Sequence, residues 1–179
     1  VSAALDGFDP FYFSMRTLSI AKKKDNIIAR LNVLADSYAS WIQEKLVHDP
    51  KMDDAKFKSE IGNAIVGKCE EALSRIRAGI QLLVEDDIAF DAFCFMNRSM
   101  ILQRNITNFS KKHGAGIECA FRDFVDPRDP ANNFGWRPFQ IAFILMNLNA
   151  VVNPEHEDRE VVDLLYFPTG GGKTEAYLG

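Results

Sequence analysis

The apolar, partly β-branched run at 161–167 leads directly into Pro168-Thr169-Gly170-Gly171-Gly172-Lys173-Thr174, and no other stretch of the chain restricts the fold as much. The run reads as a buried strand and the glycines as a turn that delivers the chain into a helix. Three glycines let the backbone curl until several main-chain N–H groups converge on one anion, and Lys173 adds positive charge at the terminal phosphates. The Thr174 hydroxyl then falls where a Mg²⁺ ion bridging two phosphates takes an oxygen ligand. A glycine-rich hairpin beside a surface lysine shares this composition, but not the ordered succession of strand, glycines and Lys-Thr.

The general phosphate-loop pattern asks for a glycine at position 167, and this chain has Phe167 there. Thr169-Gly170-Gly171-Gly172-Lys173-Thr174 instead resembles motif I of superfamily 2 helicases and translocases, in which Thr-Gly-x-Gly-Lys-Thr follows the strand directly. Upstream, Arg137-Pro138-Phe139-Gln140 resembles the RPxQ element of many members of that superfamily. The resemblance implies an aromatic ring packed on adenine and a glutamine hydrogen-bonded to the base edge. A side-chain amide offers both a donor and an acceptor, which the N6 and N7 edge of adenine complements. Gln140 is therefore the candidate adenine reader, Trp136 or Phe139 the candidate stacking face, and Arg137 either approaches the nucleotide or braces the loop. A helix start packed by aromatics has the same four residues. In this scheme ATP and Mg²⁺ are the cofactors. Thr169, Gly170, Gly171 and Gly172 form the loop, Lys173 neutralises charge spreading onto the γ-phosphate, and Thr174 binds the metal. An attacking water also needs a base and a second metal carboxylate, normally from a later strand, so these residues alone are expected not to hydrolyse ATP.

With 179 residues and a net charge of −4, the chain has room for a helical module and the opening of a second domain, and it lacks the basic field common in nucleic-acid binders. No apolar run approaches the ~20 residues of a membrane span. Cys69, Cys94 and Cys119 are widely spaced in apolar or helical surroundings, which suits reduced thiols in a cytosol. His48, His113 and His156 show no ligand spacing.

Residues 1–20 have no clean period. From about Lys22 to Leu46 an amphipathic helix is expected, ended by Asp49-Pro50, and a second from about Asp54 to Val84. Gly62, Gly67 and Gly79 inside the second predict a kink or a close helix contact. Lys22-Lys23-Lys24 reads as a solvated helix end or a phosphate contact. A third helix, from about Asp87 to Phe109, carries Phe90, Phe93, Phe95, Met96, Met100, Ile101, Leu102 and Ile106 almost all round, the pattern of a central buried helix. Asn97, Arg98, Gln103, Arg104 and Asn105 interrupt it, either as partners for nearby backbone or as binding groups. Glu85-Asp86-Asp87 suits its start and Lys111-Lys112-His113-Gly114 its end. The stretch 115–135, rich in Asp, Pro, Asn and Gly and most so at 126–133, is the best candidate for a domain boundary. Beyond it Pro138 starts an apolar helix.

Three segments together resemble the DrmA-type helicase of DISARM bacterial anti-phage systems: 92–100, 136–143 and 167–179, the last with its distinctive Glu175-Ala176-Tyr177-Leu178-Gly179. The likeness covers the chain from about residue 86. It implies a superfamily 2 ATPase acting on DNA in the bacterial cytoplasm, with a partner subunit of the same system and no membrane. The expected fold is mainly α: a helical accessory module, 1–130, then the first helix, strand and phosphate loop of a RecA-like α/β motor domain, 131–179, with the rest of the motor beyond Gly179. An ATP-gated interaction module without strand separation is the alternative.

Overall fold

Helix formation follows the apolar period. In α2 (Lys24–Trp41), Ile27, Leu31, Leu34, Ala35 and Tyr38 share one buried face, the spacing by which a helix covers a core. The computed structural model describes residues 9, 11–47, 61–126, 132–164 and 172–179. One helical turn, α1 (Met15–Leu18), and a 3-10 turn at Ala21–Lys23 precede α2, which continues into a π-type turn over Ile42–Val47. The expected stop at Asp49-Pro50 and the expected start at Asp54 lie outside the described residues.

Two long helices follow, α3 (Ile61–Glu85) and α4 (Asp87–Gly114), joined by Asp86 alone. The Asp86 carboxylate accepts the N–H groups of Ile88 at 2.8 Å and Ala89 at 3.0 Å, satisfying two donors that a helix start leaves open. At the other end α4 runs to Gly114, farther than the apolar pattern indicates. His113 stacks on Phe109 with ring centroids 5.5 Å apart, and the left-handed turn falls on Gly116, φ +76°. After α5 (Arg122–Val125) come α6 (Pro138–Val152), a 3-10 turn at Glu157–Glu160 and α7 (Lys173–Leu178). Pro138 occupies the first turn of α6, where its missing N–H costs nothing.

The described residues are mainly helical and contain no strand; an antiparallel bridge joins Ser14 and Gly135. The strand expected at 161–167 is not formed in its described part, 161–164. A strand exists through hydrogen bonds to a neighbour, and none of the described residues forms a second strand alongside. Val162 and Leu164 are 94% and 86% exposed. The remainder of that run, and Thr169, Gly170 and Gly171, lie outside the described residues.

Helix α3 is the hub, packing on α6, α2 and α4. One core joins Leu31 and Leu34 of α2, Ile76, Ile80 and Leu83 of α3, Phe90 and Phe93 of α4, and Trp136, Ile141 and Leu145 at α6, so it draws on both 1–130 and 131–179. At Gly79 α3 and α6 meet backbone to backbone: a Cβ there would collide with the Leu145 carbonyl. The close helix contact expected of the α3 glycines is therefore made at Gly79, whereas Gly67 faces open space.

The polar interruptions of α4 mostly serve the fold. Asn97 is fully buried; its amide donates to the Phe93 carbonyl at 2.9 Å, and its oxygen accepts the Trp136 indole N–H at 2.7 Å. Arg98 donates to the Ser19 carbonyl and Gln103 to Thr107. The expectation of a helix buried all round is corrected: Ala89, Phe90, Phe93, Cys94 and Met100 face the core, but Phe95 is 67% exposed, with Leu102 and Ile106 about half exposed. An apolar pattern wide enough for two faces does not say that both are covered. Cys94 is buried, which pushes its thiol pKa up despite nearby Arg98, while Cys69 and Cys119 are half-buried and all three are free. Among the described residues no helix is long and apolar enough to cross a membrane, and no metal-binding cluster occurs.

Two substitutions test this packing by chemical denaturation. Gly79→Val should destabilise by about 3 kcal/mol, the upper range for forcing a side chain into a filled contact; unchanged stability would separate α3 from α6. Trp136→Phe should cost about 1–3 kcal/mol, because the Asn97 oxygen is left buried without its donor.

Candidate phosphate-loop site

The described part of the loop begins at Gly172. Its φ of +84° lies in the left-handed region, and a Cβ there would also meet the Gln140 amide nitrogen at 2.7 Å, so only glycine fits on two counts. Lys173 and Thr174 follow as the first residues of α7, Lys173 half-buried and Thr174 exposed.

Gln140 ties this turn to the start of α6. Its amide nitrogen donates to the Gly172 carbonyl at 2.7 Å, and its oxygen accepts the Arg137 N–H at 2.7 Å. Two motifs that are 32 residues apart in sequence thus meet through one side chain. Gln140 is buried, so its amide is committed to backbone on both sides. Trp136 and Phe139, the two candidate stacking faces, are also buried, Trp136 with its N–H on Asn97; Arg137 is exposed.

The residues after the loop explain why Glu175-Ala176-Tyr177-Leu178-Gly179 has the composition it has. Glu175 accepts from Arg104 of α4 at 3.3 Å, Ala176 is buried, and Tyr177 meets Phe143 edge to face at 5.5 Å. A Cβ on Gly179 would press on Ile144 and Trp136. A short helix with few contacts of its own is held by docking on α6 and α4.

Ahead of the loop, Arg75 of α3 performs the equivalent task. Its guanidinium forms a two-point contact with Asp163, both bonds 2.8 Å, and donates through Nε to Asp158 at 2.9 Å. The Asp163 carboxylate foremost raises the already high pKa of Arg75, against the opposing effect of burial. The planar guanidinium matches the carboxylate in a way a lysine does not. Helix α6 is finished by Arg159, which donates to the Ala150 carbonyl at 2.8 Å.

Arg75, Arg104, Asp163 and Glu175 were not among the residues singled out from sequence as the site. The signals were an acid inside an apolar run, Asp163, and an arginine interrupting an apolar helix, Arg104. Neither names its partner. Arg104 also lies 5.6 Å from the Phe134 ring, while its Nε and the Asn105 side-chain oxygen are buried without a partner among the described residues. Of Lys22-Lys23-Lys24, Lys24 pairs with Asp87 at 2.7 Å, holding that carboxyl below its usual pKa, and Lys22 and Lys23 border an open polar cleft with Thr17, Asn26 and Arg30.

No protein-family model matches the chain. Over 171 residues, 94% of its length, it is 42% identical to the DISARM protein DrmA of Bacillus paralicheniformis (strain ATCC 9945a / NCIMB 11709 / CD-2). The chain is similar to a DISARM protein. It spans 14% of that relative's length. The likeness to DrmA covers 94% of the chain, so it takes in helices ahead of residue 86.

Arg75→Ala should leave Asp158 and Asp163 facing each other without a cation and destabilise the fold by about 1–3 kcal/mol. Arg75→Lys should recover only part of this, since one ammonium cannot reproduce the two-point contact. Denaturation curves for the two variants decide it; equal stabilities would deny the two-point contact its importance.

Proposed function

We propose that this chain is the leading edge of an ATP-driven DNA helicase or translocase of a DISARM anti-phage system in the bacterial cytoplasm, with a helical accessory module at 1–130 ahead of a RecA-like motor that opens at 131–179. The observation that carries the reading is the Gln140 hydrogen bond to Gly172. It puts the RPFQ element directly behind a left-handed glycine, immediately before Lys173 and Thr174. The similarity to DrmA supports the defence role.

In this reading the amides of Gly170, Gly171 and Gly172, with Thr169, cradle the β-phosphate of ATP. Lys173 offsets charge building on the γ-phosphate, and Thr174 supplies an oxygen to Mg²⁺. Gln140 reads adenine with whatever hydrogen-bonding capacity its two backbone contacts leave, Phe139 or Trp136 lies against the base, and Arg137 serves the nucleotide or the loop. The exposed Val162 and Leu164 are the apolar residues a parallel sheet would cover from both faces. DNA and a partner subunit of the same system are the macromolecular ligands.

A second reading has its own observation. Arg75 and Arg104 reach from the helical region to Asp163 before the loop and Glu175 after it. Such ties suit an ATP-gated interaction module, in which loop occupancy biases the helices without separating strands. Strand-separation assays on the intact protein divide the two readings.

In the intact protein Lys173→Ala should abolish DNA-stimulated ATP hydrolysis with the fold retained; unchanged hydrolysis would sink the phosphate-loop assignment. Gln140→Ala should weaken binding of all nucleotides through Gly172 and, if Gln140 reads the base, also narrow the preference for ATP over GTP. Competition binding with both nucleotides separates these effects, and an unaltered ratio leaves Gln140 with the loop-bracing role alone.

A further inference from the structure

The negative net charge of the chain conceals a local excess of the opposite sign. Between Phe11 and Leu31 stand Arg16, Lys22, Lys23, Lys24 and Arg30 against the single acid Asp25. Where the 3-10 turn at Ala21–Lys23 runs into α2, an open cleft of about 540 Å³ is lined by Thr17, Lys22, Lys23, Asp25, Asn26 and Arg30. Lys22 and Lys23 are exposed, and neither makes an ion pair among the described residues. Neutral groups hold Arg30 in place. Its Nη1 donates to the Tyr12 carbonyl at 2.8 Å, its Nε donates to the Asn26 side-chain oxygen at 3.1 Å, and the guanidinium lies 4.9 Å from the centre of the Tyr12 ring. Arg16 and Arg98 are tied in the same way, to the carbonyls of Asn132 and Ser19. An arginine bound to carbonyls is oriented without being neutralised, so its charge remains to attract an anion.

We propose that this cleft seats the phosphates of a single-stranded nucleic acid. Lys22, Lys23 and Arg30 supply the charge, and the Thr17 hydroxyl and the Asn26 amide, whose oxygen is already taken by Arg30, supply neutral donors. The cleft has far more room than one phosphate fills, and three cations line it, which suits a strand bringing several phosphates. Beside it stands Phe11, 49% exposed and next in sequence to the Tyr12 that anchors Arg30. A basic groove with an aromatic ring at its edge is the combination that holds single strands, the cations following the backbone while a base stacks on the ring. A duplex keeps its bases from such a ring, and an acidic protein segment or an anionic membrane brings the charge without the base. Asp25 is the carboxylate on the rim, and it pairs with none of the three cations among the described residues. The site lies apart from the loop at 172–174 and stands whether or not that loop binds nucleotide.

Binding of a labelled oligothymidylate to the intact protein without nucleotide, followed by fluorescence anisotropy over a range of salt, tests it. Lys22→Glu with Lys23→Glu should weaken binding at least about tenfold and lower the slope of log affinity against log salt by about 1–2, at unchanged helix content. Phe11→Ala should weaken it about fivefold or more. Asp25→Asn should tighten it about twofold, a gain that damage to the fold does not produce. The same double reversal at Lys111 and Lys112, outside the cleft, should leave affinity within about twofold. The proposal is overturned if Lys22→Glu with Lys23→Glu binds the oligonucleotide like wild type, if the Lys111 and Lys112 reversal loses as much, if Asp25→Asn fails to tighten binding, or if Phe11→Ala has no effect. Any of these leaves the assignment of Lys173 untouched, since ATP hydrolysis is read separately.

Discussion

The structure depends on the close crossing of α3 and α6 at Gly79. Two helices approach backbone to backbone only where one lacks a side chain, and here the Leu145 carbonyl occupies the space a Cβ would need. Arg75 lies one helical turn before Gly79 on α3, so the crossing that brings α6 close also aims the guanidinium at Asp158 and Asp163 beyond the end of α6. The start of α6 carries Gln140 to Gly172. One glycine therefore sets the position of both ends of the helix that holds the loop.

Around that crossing opposite charges hold the described residues on either side of the loop. Arg75 fixes the segment that enters it and Arg104 the segment that leaves it. The Arg75 contacts are largely withdrawn from water, which gives them more weight than exposed pairs such as Arg77 with Asp36. Nothing in the short α7 would hold it in place by itself, since a helix of six residues is far below the length at which helices persist alone. Its position is a product of docking, through Tyr177 on Phe143, Ala176 in the interior and Gly179 against Trp136. The same Trp136 anchors α4 through Asn97, so the helical region and the loop share one buried hydrogen-bonded pair.

Much of this was legible beforehand, and the legible parts have local causes. The apolar period gave α2, α3 and α4. Asp86 and Pro138 gave two helix starts, because a cap and a proline act on the nearest backbone groups. The α3 glycines announced a kink or a close contact, though not at which glycine or with which helix. The apolar residues of α4 were visible as well, but their division into a buried face and an exposed one was not, because periodicity records the width of an apolar surface and not what lies against it. The strand expected at 161–167 is not formed in its described part, 161–164, for a related reason: strand character in a sequence is a capacity for pairing, and pairing requires a neighbour.

What the amino-acid sequence determined by itself is the set of local conformations: which stretches are helical, where several of them begin, and that a glycine-rich turn precedes Lys173 and Thr174. What the tertiary structure alone decided is which distant groups satisfy one another. Gln140 with Gly172, Arg75 with Asp163, Arg104 with Glu175 and Trp136 with Asn97 are pairings between elements far apart in the chain. Each depends on helix directions fixed by packing, and a hydrogen bond's sensitivity to a few tenths of an ångström means that no spacing in a linear sequence encodes it.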